Sequence, residues 1–586
     1  MRQWMVAAKK ADFYVIAEKF HVDPVVARII RNREVIGEKN IRIYLGGNLS
    51  DLSDPHQMKD MDRLVEILAQ KIRKQVHIRI IGDYDVDGVT SSHLFLTALR
   101  RVGAKVDVVI PHRIQDGYGL SLHLLQQAKE DGVDTILTCD NGIAAIDEIA
   151  WAKAQKMTVL VTDHHAVPFE EHEGRRTEKK SLADAVVNPH QQDCGYPYKE
   201  LCGAGVAWNV IRVLYENYDM DKREAEDLLD FVAMATVCDV MSLTGENRIL
   251  VKEGLKRIRH TKNIGLQALM QACNVQPENI SAYHFGYVLG PCVNATGRLD
   301  TARHALRLFE TGQETEAEEI ARDLVDLNQE RKELTLQGVE MAKKLCEEGG
   351  YEKDPILVLF LPDVHESIAG LIAGRIREMY NRPVFVLTRG EEGVKGSGRS
   401  TENYSMYENM CGCAELFTKF GGHPMAAGLS LPEENVEKFR RKINENCPLT
   451  VEEVCPDIHI DMAMPVGYAS TELVHQFALL EPFGKDNPSP LFADRNLSIS
   501  RMWVIGKNRN VLRMSVLSEY GQPVPVIFFG DVETLFAYFT EKFGQKEVEN
   551  ALHGRKNRIL FSMVYTAKID FYQGNENLQL EMKYYR

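Results

Sequence analysis

Ile78-Arg79-Ile80-Ile81-Gly82-Asp83-Tyr84-Asp85-Val86-Asp87-Gly88 reads as a buried apolar strand that runs straight into three carboxylates at alternate positions. In an extended segment residues i, i+2 and i+4 share a face, so Asp83, Asp85 and Asp87 would form a row of oxygen ligands at the strand's C-terminal end. Gly88 and the helical run 89–101 then carry the chain away. Carboxylates this close repel one another unless a cation neutralises them, which makes a divalent metal the simplest explanation. The alternative is an acidic turn that caps the next helix, with Asp87 as its N-cap.

The surrounding chain repeats the pattern. Short strand-like runs stand at 106–110, 135–138 and 158–162, separated by helical stretches at 121–129 and 144–155. Strands alternating with helices of this length predict βαβ units and a parallel sheet, an α/β fold whose site lies in the loops after the strands. Those loops are Cys139-Asp140-Asn141-Gly142 and Asp163-His164-His165, and a further apolar segment, Phe231 to Cys238, ends at Asp239. Carboxylate with imidazole suits Mn²⁺ or Mg²⁺, whereas the lack of a thiolate ligand set disfavours structural zinc.

At 586 residues the chain calls for about three or four domains. Its apolar runs are too short to span a bilayer, and its N-terminus has no secretory apolar core, so a cytoplasmic protein with no membrane contact is expected. The 11 cysteines form no CxxC pair and are expected to be buried, reduced thiols. A net charge of −14 argues against wholesale coating of duplex DNA, but a nucleic acid can still be held in a locally basic groove.

Beyond the first domain, 319–346 predicts one long helix, poor in Ser, Gly and Pro and therefore a stiff spacer. After Pro456 the runs 497–504, 511–517, 524–529 and 559–565 predict a small β-barrel. Arginines and glycines mark candidate phosphate contacts between these blocks. Arg113 follows the second strand, Asn294 and Arg298 share a short polar motif, and Lys395 to Ser400 reads as a glycine-rich turn with Ser397 and Arg399. His423 lies in Gly421-Gly422-His423-Pro424, where permissive backbone allows a phosphate to approach. Tyr118, Trp208, Tyr283 and Phe285 are aromatic candidates for base stacking, and Trp503, Lys507, Arg509 and Arg513 suggest a basic barrel face.

Asp83 to Gly88, Asp140-Asn141-Gly142, Asp163-His164-His165 and Asp239 occur in the order of the DHH phosphoesterase motifs, which this chain resembles. Leu201 to Trp208 and Asn294 to Leu299 look like the RecJ branch, the single-strand-specific 5′-exonucleases. Gly421 to Gly428 is similar to the glycine-rich motif of the associated DHHA1 domain, and Glu481 to Pro488 to the entry of an OB-type domain. The one departure is Val364-His365-Glu366-Ser367, where a Trp-His-Pro-Gly-type sequence is usual.

The resemblance implies an N-terminal helical segment (1–50), a DHH catalytic domain with a parallel sheet (51–310), the connecting helix (311–349), a DHHA1-type α/β domain (350–450) and an OB-type β-barrel (455–586). It implies two Mn²⁺ or Mg²⁺ ions held by Asp83, Asp85, Asp87, Asp140, His164 and Asp239, with Asp140 bridging and the ions about 3.5–4 Å apart. Asp163 would orient His164, and His165 would face the scissile phosphate. Arg113, Asn294, Arg298, Ser397, Arg399 and His423 would hold the 5′ end. The implied activity is degradation of single-stranded DNA from 5′ to 3′ in recombination and repair, with a single-strand-binding protein or a helicase as candidate partners. The alternatives are a DHH-type phosphodiesterase for short oligonucleotides or cyclic dinucleotides, against which the long chain and C-terminal barrel argue, and a catalytically inactive DHH scaffold in replication, whose kind loses metal carboxylates that are all present here.

Overall fold

A computed structural model of the chain describes residues 3–586 apart from 114–115, 118, 173–174, 352, 391–392, 456, 507–509 and 573. The chain forms two compact units, one of residues 52–241 and 249–456, the other of 3–51, 242–248 and 457–586.

The first unit is built on a sheet of five parallel strands, β1 (Ile78–Ile81), β2 (Val106–Val109), β3 (Thr135–Cys139), β4 (Thr158–Thr162) and β5 (Ala185–Val187), in the order β2-β1-β3-β4-β5. The central strands are buried on both faces, which explains why they read as largely apolar, Ile-Arg-Ile-Ile and Thr-Ile-Leu-Thr-Cys, with no polar alternation. The chain leaves β1 for one neighbour and returns to the other side at β3. That reversal creates the crevice outside the strand ends where α/β proteins place their ligands. Helices α1 (Val86–Arg101), α2 (Gly203–Asn217) and α3 (Leu229–Cys238) pack together beside this sheet. Phe231 to Cys238, expected to behave like the other strand-like segments, is therefore α3, and Asp239 is its C-cap. A segment buried on every side has no periodicity by which strand and helix can be told apart. The Glu-, Lys- and Arg-rich stretch after His165 carries a two-stranded hairpin, 169–172 with 175–178.

Helix α4 (Gly290–Leu299) leads on to α5 (Glu314–Glu348), 35 residues long and so about 52 Å from end to end. Beyond it, β6 (Leu357–Phe360), α6 (Glu366–Tyr380), β7 (Val384–Gly390), β8 (Gly393–Arg399), β9 (Lys419–His423) and β10 (Ala426–Leu431) form a second sheet ordered β9-β10-β8-β7-β6. The expected glycine-rich turn at 395–400 is instead β8, hydrogen-bonded on both edges. Its glycines make room: a Cβ on Gly398 would stand 2.6 Å from the Met406 sulfur.

In the second unit, β11 (Phe492–Ile505), β12 (Val511–Leu517), β13 (Pro523–Phe529), β14 (Leu560–Tyr572) and β15 (Asn575–Tyr585) close on themselves through β11–β14 pairing, giving a five-stranded barrel. Helices at 13–20, 24–32 and 38–46 share the barrel's core, and the strand 4–6 pairs with 458–460. Arg248 is buried here without a carboxylate. It donates to the carbonyls of Tyr44, Leu479 and Leu480 at 2.8–2.9 Å and stacks on the Tyr44 ring at 3.9 Å.

None of the 11 cysteines forms a disulfide; most are buried or partly buried, but Cys411 is exposed. Among the described residues, no helix is long and apolar enough to cross a membrane.

Candidate metal centre and phosphate pocket

β1 ends at Ile81 and α1 begins at Val86, so Asp83, Asp85 and Asp87 do not form an extended row. Asp85 is the N-cap of α1, its carboxylate accepting from the Gly88 N–H at 3.0 Å, and Asp87 lies in the first turn. The expected capping role thus falls to Asp85, two residues before Asp87. Gly88 permits this tight entry, because a Cβ there would stand 2.5 Å from the backbone nitrogen and oxygen of Asp83.

Asp87 is also gripped from outside. Its two oxygens accept from the amides of Gly203 at 2.6 Å and Ala204 at 2.7 Å, at the start of α2, where free N–H groups and the helix dipole favour an anion. A Cβ on Gly203 would lie 2.6 Å from the Asp140 Cβ. Asp140 itself sits at φ +61°, a left-handed conformation that a non-glycine residue holds only when its surroundings enforce it. Gly203→Ala is therefore expected to displace Asp140 and lower turnover about 100-fold, on the scale of a 1 Å misplacement. Steady-state kinetics giving the parental kcat would refute this crowding.

The loops after β1, β3, β4 and α3 converge. Ligand atoms of Asp83, Asp85 and Asp140 lie within 4.8 Å of one another, as do those of Asp87, His164 and Asp239, and those of Asp140, His164 and His165. His164 Nε2 lies 3.1 Å from Asp140 Oδ1 and 3.6 Å from both Asp87 Oδ2 and Asp239 Oδ2. Burial holds its imidazole below its ordinary pKa, against the pull of Asp87, and so leaves it neutral.

The carboxylates move the opposite way. Asp140 is pushed well above the usual range by burial and by the charges of Asp87, Asp85 and Asp239. Asp83 is likewise raised by burial and Asp85, with the Tyr84 amide and Arg113 countering in part. Asp85 is raised by its buried surroundings and Asp87. Neither Asp83 oxygen has a well-formed hydrogen bond. Buried, mutually repelling oxygens around a neutral imidazole are a donor set that divalent Mn or Mg satisfies. Asp140 and His164 each belong to two of the three groups.

Asp163 does not orient the His164 ring. One oxygen accepts from the backbone amides of His164 and His165 at 2.7 and 3.0 Å and meets His165 Nδ1 at 2.8 Å; the other accepts from the Ile143 amide at 2.9 Å. In this tight loop the carboxylate reaches the second histidine ring, while the first turns toward the carboxylate cluster. Burial would raise the Asp163 pKa, but the bond and charge of His165 hold it below the usual range. Burial would lower His165, yet Asp163, Asp239 and Asp87 carry it up to about 9. The His165 side chain is 45% exposed, and the Asp163 contact favours its protonated form.

Beside the carboxylates lies a pocket of about 290 Å³, lined in part by Tyr84, Arg113, Glu366, Ser367, Lys395 and Ser397, with Lys395 paired to Glu366 at 2.9 Å. Arg113 stacks over the Tyr84 ring at 4.7 Å. Arg298 is half-buried, donates to the Ser367 carbonyl at 2.6 Å, and is lowered to about 10 by desolvation and by Arg113, Arg331 and Arg399. Arg399 is lowered by burial, Arg113 and Arg377. Ser397 and Arg399 alternate on β8 and so share a face, beside α6 at Gly370. None of Arg113, Arg298 and Arg399 pairs with a carboxylate among the described residues. Arginines that repel each other in a buried place are matched by an anion with several oxygens.

Asn294 is placed differently: its Oδ1 accepts from the Val86 amide at 3.2 Å, tethering α4 to the carboxylate loop. His423 ends β9 exposed and stands opposite Ala426, as Arg399 does on the other side, two strand spacings or about 10 Å away. His365, at the departure from the usual motif, N-caps α6, accepting from the Ser367 N–H at 3.3 Å. Trp208 and Phe285 are core residues, Trp208 donating to the Ala225 carbonyl. Tyr118, Lys507 and Arg509 lie outside the described residues. The motifs did not reveal the paired amides of Gly203 and Ala204, the Ser367 carbonyl, or Lys395. Backbone groups leave no residue signature, although the Gly203-Ala204-Gly205 start of a helix hints at close approach.

Residues 77–236 match the DHH family N-terminal domain, 353–447 the DHHA1 domain, and 460–584 the RecJ OB domain. The single-stranded-DNA-specific exonuclease RecJ of Haemophilus influenzae is 32% identical over 582 residues, which cover 96% of this chain and 96% of that protein. That of Bacillus subtilis is 33% identical over 511 residues, and this chain spans only 63% of its length. The crystal structure of Thermus thermophilus RecJ with Mn²⁺ matches 100% of this chain and 79% of its own at a TM-score of 0.79 and 24% identity. A manganese-bound exonuclease RecJ structure, 32% identical, matches 66% of this chain and 94% of its own at 0.57. Shared motifs, domain order and near full-length similarity place this chain in the RecJ family of the DHH superfamily.

Proposed function

We propose that this chain is a metal-dependent exonuclease that degrades single-stranded DNA from its 5′ end to mononucleotides, in recombination and repair. The observation that carries the reading is the pairing of two carboxylate–imidazole groups with Arg113, Arg298 and Arg399, which have no carboxylate partner among the described residues. Asp83, Asp85, Asp87, Asp140, His164 and Asp239 would hold two Mn²⁺ or Mg²⁺ ions. When bound, such ions supply a nucleophilic water at neutral pH and stabilise the leaving oxygen.

The chain's own residues do the rest. His165, protonated and aimed by Asp163, is placed to donate to an oxygen of the scissile phosphate. Arg113, Arg298, Arg399 and Ser397 take a terminal phosphate, which fixes the end from which the strand is consumed. His423 would guard the rim of that pocket, and Asn294 would hold the carboxylate loop in register. Catalysis would lie in 51–310, terminal-phosphate recognition in 350–450 beyond the 311–349 helix, and strand binding in 455–586, with the 1–50 segment as part of its support. A single-strand-binding protein or helicase as partner and a cytoplasmic location belong to the same reading.

The test uses one oligonucleotide labelled at either end, with Mn²⁺, set against its duplex and against dinucleotides. Immediate release of mononucleotide from the 5′-labelled single strand supports the reading. Release from the 3′ end first, preference for dinucleotides, or no cleavage would sink it.

Tyr283, in the turn Ala282–His284, and Tyr287, in the π-helical turn Phe285–Leu289, stack at 5.1 Å, 62% and 70% exposed, and the Phe285 carbonyl accepts from the Cys238 thiol, next to Asp239. Exposed stacked rings beside the site suit a base platform worth about 1–3 kcal/mol per base. The double change to alanine is expected to raise KM for a long single strand about tenfold or more with kcat nearly constant. An unchanged KM would remove these tyrosines from the strand's path.

A further inference from the structure

A cavity of about 750 Å³ opens among α1, α3 and the helical segments around residues 253–264 and 303–312. It is not the phosphate pocket, with which it shares no lining residue.

Three rings build its floor. His93 packs on Phe231 at 4.5 Å and on Phe309 at 5.8 Å, and the two phenylalanines meet edge-on at 5.0 Å. The His93 side chain is 5% exposed, and its Nδ1 is buried with no hydrogen-bond partner. Glu310 Oε1, on the same lining, is also buried without a hydrogen bond and faces the Arg100 guanidinium at 3.8 Å. Glu310 keeps its ion pair, but native interiors rarely leave a ring nitrogen such as His93 Nδ1 unmet, because it loses its hydration and gains nothing in return.

The rim carries exposed cations: the side chains of Arg100, Lys256 and Lys262 are 57%, 63% and 89% exposed. Glu253 and Asp227 pair with the two lysines at 2.6 and 3.5 Å, surface contacts that an arriving dianion can exchange cheaply. An aromatic floor, an unmet ring nitrogen and the Glu310 carboxylate at its edge, and cations at the mouth define one ligand chemistry. It is a planar heteroaromatic base with an N–H donor, joined to a phosphate.

We propose that this cavity binds a nucleoside 5′-phosphate at a second site, separate from the reacting strand. Its position gives such a ligand a lever on the carboxylate cluster. His93 follows Asp87 by six residues on α1, about 9 Å along the axis. Phe231 lies in the first turn of α3, whose other end is capped by Asp239. Two sources share this chemistry, a released deoxynucleoside monophosphate and a nucleoside triphosphate of the cell.

The experiment is photolabelling of the full-length chain in EDTA with 8-azido-dAMP and, separately, 8-azido-ATP, followed by peptide mapping. Saturable labelling within 227–264 or 303–312 is expected, reduced at least tenfold by Lys256→Glu with Lys262→Glu. Both substitutions are at exposed sites, and the variant's melting curve and strand cleavage are expected to match the parent. The probe with the lower half-saturation concentration identifies the source. Labelling confined to peptides around Arg113 or Ser397, labelling that does not saturate, or labelling unaffected by the double change would overturn the proposal. None of these readouts depends on cleavage, so the proposal and the exonuclease reading fail separately.

Discussion

Asp140→Ala is expected to abolish turnover, by at least about 10³-fold, the rate equivalent of about 4 kcal/mol of lost transition-state stabilisation. Asp140 is where the β1 and β4 loops meet: it shares one ligand group with Asp83 and Asp85, and another with His164 and His165. Removing it deprives both groups of an oxygen at once, whereas removing a peripheral carboxylate spares one of them. Fold loss does not explain the outcome. The substitution relieves a buried carboxylate already raised by Asp87, Asp85 and Asp239, which offsets the cost of placing alanine at φ +61°. The metal-free melting temperature is therefore expected within a few degrees of the parent, while the stabilisation produced by Mn²⁺ falls sharply. Single-strand binding, measured by fluorescence anisotropy, is expected to persist. Appreciable residual cleavage would contradict the bridging position.

The second large effect is expected at Asp163. Asp163→Asn keeps the size of the side chain but removes the charge that holds His165 protonated and aimed. The expected loss in kcat is about 10²–10⁴-fold, the range of a general acid, with KM for the strand nearly unchanged. His165→Ala should show a similar loss, and the double variant should be little worse than either single one, since the pair acts as a unit. Additive losses would mean that Asp163 acts by holding the His164–Ile143 loop, through its three backbone amides, and not through the His165 ring.

Much of this was legible in the sequence because strand ends are marked by composition. Apolar runs buried on both faces announce a parallel sheet, and carboxylates at their ends have few structural reasons to be there. Asp140, His164 and His165 follow β3 and β4 as that logic requires. The logic failed where burial erased periodicity, at α3, and where a helix start intervened, at Asp85 to Asp87. It also missed partners that are backbone atoms, such as the amides of Gly203 and Ala204 and the carbonyl that receives Arg298. Glycines at 396 and 398 suggested a turn but serve close packing in a central strand. Nor could local pattern foretell that residues 3–51 share a core with the C-terminal barrel, since that contact bridges more than 400 positions of chain.

That last arrangement bears on how the molecule can be cut and recombined. The barrel's unit is sewn from three stretches, 3–51, 242–248 and 457–586, so the polypeptide enters and leaves it repeatedly. Arg248 depends on carbonyls from two of those stretches at once. A truncation at residue 456 would strand the N-terminal helices without their core and leave a guanidinium short of two of its three acceptors. The barrel is thus not a detachable cassette. Exchange between relatives would have to carry all three stretches together, and a functional fragment is better sought by trimming loops than by removing the end of the chain.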